Sequence, residues 1–144
     1  MANDDGFEPT DFLPYLLNRA AEESSLGFQA HYRERYGMLR TEWRVLFHLG
    51  RYGELTAREL CARARLHKTE VSRAVAALER KRLLVRGTCP EDRRREPLVL
   101  TRAGAKVHRE LSEEARGYDA ALAACFDAGE LRVLRRCLKR LIEP

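Results

Sequence analysis

The amino-acid sequence predicts a mainly α-helical fold with one small β-hairpin. Three observations support this. Apolar residues recur at helical spacing along most of the chain. Two short β-prone runs follow each other between residues 83 and 100. Turn residues such as Gly37, Gly53 and Gly87 separate the segments. A length of 144 residues suits one domain with a substantial core.

Composition and charge limit the classes of function. The chain is 44% hydrophobic and 34% charged, as in soluble globular proteins. No apolar run approaches the roughly 20 residues that cross a bilayer. The start, MANDDGFEPTDF, lacks the features of a secretory signal, so we expect a cytoplasmic protein. Residues 51–102 carry 14 basic and 7 acidic groups, whereas residues 1–50 carry 5 and 8. Such localised positive charge favours nucleic-acid phosphates, although an acidic protein or a membrane surface would also be attracted.

Two helices are predicted before residue 54. Asp11 would cap the first helix, which would run to about Tyr32. The segment 33–39 predicts a break because it contains a glycine. Thr41 would cap the second helix, and Gly53 would end it.

A helix-turn-helix is predicted next. Thr56 and Glu59 have the spacing of a capping box, which opens a short helix to about Arg63. A tight connection over residues 64–66 leads into a second helix over residues 66–82.

This second helix has two different faces. Its apolar stripe consists of Val71, Ala74, Val75 and Leu78. The other side carries Lys68, Thr69, Ser72, Arg73 and Ala76. Arginine and hydroxyl side chains can bond base edges, and small residues let a helix enter the DNA major groove. An ordinary amphipathic surface helix is the alternative, because basic amphipathic helices are common.

A hairpin is predicted after this helix. Its strands would be residues 83–86 and 97–100, joined by a loop over residues 87–96 with three consecutive arginines. A hairpin that follows a helix-turn-helix is a wing, and arginines at its tip suit the DNA minor groove. A solvated charged loop is the alternative.

Two more helices complete the chain. Thr101 would cap a long helix that ends near Phe126. Asp127 and Glu130 have capping spacing for the last helix. Its apolar stripe consists of Leu131, Leu134, Leu138 and Leu141.

Four local sequences occur in a specific order: TEWRVL at 41–46, HKTEVSR at 67–73, CPEDRR at 89–94 and LVLTRAG at 98–104. The third is similar to the wing motif Asp-Pro-x-Asp-Arg-Arg, and the fourth matches Leu-Thr-x-x-Gly. With the order of elements, they resemble the MarR family of bacterial transcription regulators over nearly the whole chain. Cys89 stands where that family usually has Asp, which alters a turn-stabilising position.

The resemblance implies a fold and an assembly. Residues 41–102 would form a winged helix-turn-helix DNA-binding lobe within a single domain, 1–144. Residues 1–36 and 103–144 would form N- and C-terminal dimerisation helices. A homodimer would place two recognition helices about 34–36 Å apart on a palindromic operator, acting most simply as a repressor.

The resemblance also assigns DNA contacts. Asp92 would hold the wing arginine, Arg94 would enter the minor groove, and Arg93 and Arg95 would contact phosphate. Thr69, Ser72 and Arg73 would contact bases. Lys68 would bind phosphate, as would Thr56 through a helix N-terminus. The expected DNA-binding residues are Thr56, Lys68, Thr69, Ser72, Arg73, Asp92, Arg93, Arg94 and Arg95.

A small-molecule effector is a further expectation, because relatives bind aromatic or phenolic acids between the dimer helices and the DNA-binding lobe. Aromatic walls with a cation suit an aromatic carboxylate. The candidate residues, near the junction of the first two helices, are His31, Tyr32, Tyr36, Arg40, Trp43 and Arg44. Alternatively, Trp43 belongs to the core and the arginines are solvated.

Other chemistry is not expected. No catalytic constellation appears, and neither the histidines nor the cysteines have metal-ligand spacing, so we predict no enzyme, metal or cofactor. A thiol-based redox regulator remains an alternative, with Cys89 as the candidate because neighbouring arginines would lower its pKa. Cys61 would pack in the core. A winged-helix module that binds an acidic protein is the other alternative.

Overall fold

The structure, a computed structural model, describes residues 6–143. Residues 1–5 and 144 of the predicted domain, including both acidic residues before Glu8, lie outside the described part. No helix in residues 6–143 is both long and apolar enough to cross a membrane. Within these residues the α-helices are α1 (Leu13–Tyr36), α2 (Arg40–Tyr52), α3 (Ala57–Ala64), α4 (Lys68–Arg80), α5 (Arg102–Ala123) and α6 (Ala128–Ile142). The strands are β1 (Leu55–Thr56), β2 (Leu84–Arg86) and β3 (Pro97–Leu100). The predicted mainly α fold with a winged helix-turn-helix is therefore confirmed.

Both predicted limits of the first helix were wrong. Asp11 ends a short 3-10 helix, Pro9–Asp11, and its carboxylate accepts the N–H of Glu8 at 3.1 Å, so Phe12 is the N-cap of α1. The helix also continues past Tyr32 because no helix-breaking residue occurs before Gly37. That glycine adopts φ 63°, which ends α1 in the left-handed region.

The second helix begins before its predicted cap. Leu39 is the N-cap of α2, and its N–H donates to the carboxylate of Glu42 at 3.0 Å. Thr41 therefore lies in the first turn of α2. The predicted capping hydroxyl of Thr41 is not used, and the side chain of Glu42 bonds the start of the helix instead. The predicted end at Gly53, with φ 76°, is confirmed.

The helix-turn-helix follows the predicted order. The hydroxyl of Thr56 accepts the N–H of Glu59 at 3.2 Å, which confirms the cap of α3. Arg65 adopts φ 52° after α3, and Leu66, which was predicted to start the next helix, is buried in the connection. The predicted apolar stripe of α4 is wholly buried and consists of Val71, Ala74, Val75 and Leu78.

The sheet has one more strand than predicted. β1 has only two residues, too few for an alternation of apolar and polar residues to reveal a strand in the sequence. It pairs with β3 through Leu55 and Leu98. The order is β1-β3-β2, all antiparallel. Leu83 lies just outside β2, and its carbonyl accepts the N–H of Thr101 at 3.0 Å. The wing is thus attached to the cap of α5.

Small residues let α5 approach its neighbours closely. A Cβ at Gly50 would overlap the His108 ring, and one at Gly104 would overlap the Leu83 carbonyl. Thr101 caps α5 as predicted, since its hydroxyl accepts the N–H of Gly104 at 3.0 Å. The helix ends at Ala123, three residues before the predicted Phe126.

The terminal helices leave apolar surface uncovered. α6 buries none of its residues, and α1 buries only Phe28 and Tyr32. The predicted cap of α6 is confirmed, because Asp127 accepts the N–H of Glu130 at 2.8 Å. The large exposed apolar residues of these helices and of the segment before α1 are Phe7, Phe12, Leu13, Tyr15, Leu16, Leu26, Val133, Leu134, Leu138, Leu141 and Ile142.

Candidate nucleic-acid interface and adjoining cavity

One side of α4 is polar and accessible. Lys68, Thr69, Ser72 and Arg73 are all exposed, whereas Ala76 is half-buried. His67 is the N-cap of the helix, and its N–H donates to the Glu70 carboxylate at 3.2 Å. Burial of the opposite stripe fixes the rotation of α4 on the lobe, so this polar edge is held facing outward.

A hydrogen bond from Asp92 shapes the wing tip. Its Oδ1 accepts the main-chain N–H of Arg94 at 3.0 Å, and its carbonyl accepts the N–H of Arg95 at 3.1 Å. Asp92 thus contacts the wing arginine through the backbone. Arg93 and Arg94 are exposed, and neither forms an ion pair with any residue in 6–143.

Arg95 has a partner within the chain. Its guanidinium lies 2.6 Å from the Glu59 carboxylate on α3. Burial raises the pKa of Glu59, but the hydrogen bond and charge of Arg95 outweigh that effect, so the pKa lies below its usual value. Because Thr56 caps the same helix, this ion pair holds the wing against the N-terminal turn of α3.

The other end of the hairpin is attached to α4. Arg86 on β2 lies 3.2 Å from Glu79 of α4 and 3.7 Å from Glu96 of the wing loop. The wing is therefore tied to both helices of the helix-turn-helix, although both pairs are partly exposed and each is weak. The basic tip and the polar edge of α4 belong to one connected unit.

A cavity of about 490 Å³ lies between α1, α2 and α5. Four predicted effector residues line it, namely Tyr32, Arg40, Trp43 and Arg44. The walls are aromatic: the Tyr32 and Trp43 rings stack with centroids 6.3 Å apart, and Phe28 lies 5.5 Å from Trp43. Sequence reasoning missed the other side of the cavity, which includes Ser24, Phe28, Phe47, Tyr118, Asp119 and Leu122. Tyr118 lies within the predicted long helix that follows Thr101, but the sequence gives no indication of which helix it meets.

The other two predicted effector residues lie elsewhere. The Nδ1 of His31 is 2.7 Å from Glu114 on α5, and the Tyr36 hydroxyl donates to Glu110. Burial and the bond to Glu110 raise the pKa of Tyr36 to about 12. These residues join α1 to α5 and do not line the cavity.

The cysteines are separate thiols. Cys89 is half-buried in the wing loop, Cys61 is half-buried against the core, and Cys125 and Cys137 are exposed. Among residues 6–143, no group of three or more His, Cys, Asp or Glu side chains could hold a metal ion.

Residues 36–95 match the model of the MarR family. No curated protein sequence matches the chain. A MarR/EmrR family transcriptional regulator from Acinetobacter sp. ADP1 is 25% identical with a TM-score of 0.85, over 94% of this chain and 95% of that one. Bordetella bronchiseptica BpsR, whose DNA binding is regulated by 6-hydroxynicotinic acid, is 18% identical with a TM-score of 0.86, over 96% and 98%. PcaV from Streptomyces coelicolor, solved with its natural ligand, is 24% identical with a TM-score of 0.82, over 99% and 98%.

Proposed function

We propose that this chain, which matches the model of the MarR family of transcriptional regulators over residues 36–95, is a sequence-specific DNA-binding repressor of that family that acts in the cytoplasm as a homodimer. The observation that carries this proposal is the exposed edge of α4, with Lys68 and Arg73. It lies in one connected unit with Arg93 and Arg94 of the wing, which form no ion pair within residues 6–143. A localised cationic surface with hydroxyl groups suits a DNA duplex better than a neutral ligand.

Each side of this unit has a different role in DNA binding. Arg73, Ser72 and Thr69 contact base edges in the major groove, where an arginine can bond guanine with two hydrogen bonds. Lys68 binds phosphate, and so does Thr56 through the N-terminus of α3. Arg94 enters the minor groove at the tip of the wing.

Two wing arginines contribute charge rather than base recognition. Arg93 is exposed and unpaired within residues 6–143, so it is available to phosphate. Arg95 shares its guanidinium between Glu59 and the DNA backbone, because an arginine has five N–H donors and the ion pair uses only some of them. Asp92 acts indirectly by holding the backbone of Arg94.

A second copy of the chain covers the terminal helices. α6 exposes Leu134, Leu138 and Ile142, which are spaced four residues apart and therefore lie on one face of the helix. Such an apolar face is larger than the single apolar residues that are normally scattered over a protein surface. The same holds for the N-terminal part of α1, with Leu13 and Leu16. Two-fold pairing through these helices presents two recognition helices to one face of a palindromic duplex.

An aromatic or phenolic acid binds the cavity and releases the DNA. Trp43, Phe28 and Tyr118 provide apolar walls, while Arg40 and Arg44 provide cations for a carboxylate. BpsR, which has the same fold, is regulated by 6-hydroxynicotinic acid, which combines an aromatic ring with a carboxylate.

DNA binding is tested by fluorescence anisotropy with duplexes from the DNA that flanks the gene, at matched salt. Arg73→Ala should weaken specific binding by roughly 1–3 kcal/mol and relax base choice. Arg94→Ala should weaken binding and reduce the preference for A·T pairs at the flanks. Arg116→Ala, which removes an exposed cation from α5, is the control and should bind like the parent.

Two results would contradict the proposal. One is operator affinity of both variants equal to that of the parent. The other is a monomer in sedimentation at the concentrations where the DNA is bound, because a monomer presents only one recognition helix to the palindrome.

A further inference from the structure

Arg44 lines the cavity between α1, α2 and α5, and its side chain also bonds the end of α3. We propose that Arg44 is a positioning residue that couples the cavity to the recognition helix: a carboxylate in the cavity takes its guanidinium away from the Ala64 carbonyl. This inference rests on the proposed function for its biological meaning. The structural switch itself can be tested without DNA.

The contact on the side of the helix-turn-helix is a hydrogen bond. The Nη2 of Arg44 donates to the carbonyl oxygen of Ala64, the last residue of α3. Carbonyls in the last turn of a helix have no partner within the helix, so an outside donor stabilises that end. Because Arg44 belongs to α2, this bond fixes the end of α3 to the neighbouring helix.

The next residues connect α3 to the recognition helix. Arg65 adopts φ 52°, and its N–H donates to the Cys61 carbonyl. The N–H of Leu66 donates to the same carbonyl at 3.3 Å, and α4 starts two residues later at Lys68. A short turn transmits a change at Ala64 directly to the start of α4. That start carries the Lys68 and Thr69 side of the proposed DNA interface.

On the other side, the half-buried Arg44 lines the cavity. A carboxylate bound in the cavity competes with the Ala64 carbonyl for the Nη2 donor of Arg44, because two parallel hydrogen bonds to the carboxylate draw the guanidinium toward the cavity. Both bonds of Arg44 are charge-assisted, but a carboxylate carries a full negative charge and can accept two hydrogen bonds from one arginine, whereas the Ala64 carbonyl is neutral and accepts one from Arg44. Ligand binding therefore favours the state in which the end of α3 has lost its donor. The equilibrium shifts by the difference in affinity between the two states.

Arg40 provides a matched control. It lines the same cavity and carries the same charge, but it is exposed, and no hydrogen bond joins it to Ala64. Arg40→Met and Arg44→Met each remove one positive charge from the cavity. Only Arg44→Met also removes the donor to α3.

Amide hydrogen exchange on the dimer without DNA is the primary test. In Arg44→Met, the amide hydrogens of Arg65 and Leu66 should exchange roughly ten-fold faster than in the parent, because one charge-assisted hydrogen bond is lost. Arg40→Met should exchange them at the parental rate. Circular dichroism checks that both variants keep their helix content. Equal rates in Arg44→Met and the parent would overturn the proposal.

A carboxylate introduced by mutation tests the competition without a ligand. Ala115 also lines the cavity, so Ala115→Glu places an anion there, and Ala115→Gln is its neutral counterpart. Ala115→Glu should accelerate exchange at Arg65 and Leu66 relative to Ala115→Gln, and it should have no further effect in combination with Arg44→Met. A purely structural role for Arg44 predicts equal exchange in the Glu and Gln variants, and that result would overturn the proposal.

Benzoate, a simple aromatic carboxylate, extends the test to a free ligand. Trp43 is the single tryptophan and lines the cavity, so its fluorescence reports binding. Quenching by benzoate with unchanged exchange at Arg65 and Leu66 would refute the coupling. If the exchange results hold but the parent shows no preference for any flanking duplex, the proposed DNA function fails while the coupling stands.

Discussion

The Nζ of Lys81 lies 2.7 Å from the Oε1 of Glu42, and this ion pair joins the C-terminal end of α4 to the first turn of α2. Glu42 is almost fully buried, with 3% of its surface exposed. Its other oxygen accepts the N–H of Leu39 at 3.0 Å, so both carboxylate oxygens have partners. The end of α4 is therefore held to α2 by a buried charge that has a single cationic partner among the ion pairs of residues 6–143.

Lys81→Met should lower the free energy of unfolding by about 2–4 kcal/mol, because it leaves the buried Glu42 carboxylate without its cation. Arg116→Met is the control, since it removes an exposed pair with Glu113 and should cost less than about 1 kcal/mol. Urea unfolding at one fixed protein concentration gives both values. Equal losses would mean that the Glu42 pair is no stronger than a surface pair.

Gly104→Ala should destabilise the chain by at least about 2 kcal/mol, because its Cβ would overlap the Leu83 main-chain carbonyl, which cannot rotate away. Gly117→Ala, in the same helix, has nothing within 4 Å of the added Cβ. It should stabilise the helix by about 0.5–1 kcal/mol. The unfolding temperatures of the two variants, measured against the parent, test both expectations. A Gly104→Ala variant more stable than the parent would disprove the close approach of α5 to the wing.

Asp92→Ala should weaken operator binding about five-fold through loss of the hydrogen bond to the Arg94 N–H. Asp92→Asn keeps an oxygen acceptor and removes the charge, so it should retain most of the affinity. Fluorescence anisotropy at matched salt distinguishes the two. If both variants bind equally well, the side-chain acceptor does not hold the wing.

His108 should make stability depend on pH. Burial, together with the charge of Arg109, lowers its pKa below the usual 6.5, so the unfolded chain binds a proton more readily than the folded one. Its contribution to stability is complete above pH 6.5. It falls as the pH decreases from 6.5 to the lower folded value, and it is constant below that. Urea midpoints between pH 7.5 and 5 should therefore decrease more for the parent than for His108→Gln; parallel curves would contradict this.

Local sequence patterns predicted much of this architecture. The caps at Thr56, Thr101 and Asp127 require only a hydroxyl or carboxylate a few residues before a helical amide, and all three are confirmed. The buried stripe of α4 also follows from spacing alone. The cap of α2 was wrong because Glu42 competes with Thr41 for the same role, and spacing does not distinguish between them.

The cavity could be predicted only in part, for a different reason. Arg40, Trp43 and Arg44 lie within about one turn of α2, so the sequence placed them together. Tyr118 joins them only because α5 packs back across α1, where its hydroxyl donates to the Ser24 carbonyl at 2.6 Å. His31 and Tyr36 are near Tyr32 in sequence, but their carboxylate partners on α5 draw them away from the cavity.

The sequence by itself determined the order of the helices, the exposed cationic edge of α4 and the basic tip of the wing, because periodicity and turn residues act over a few positions. Only the tertiary structure decided that Lys81 would neutralise Glu42, that β1 would pair with β3 and that Arg44 would bond Ala64. Those contacts join residues distant along the chain. They depend on how the helices pack, which no local pattern encodes.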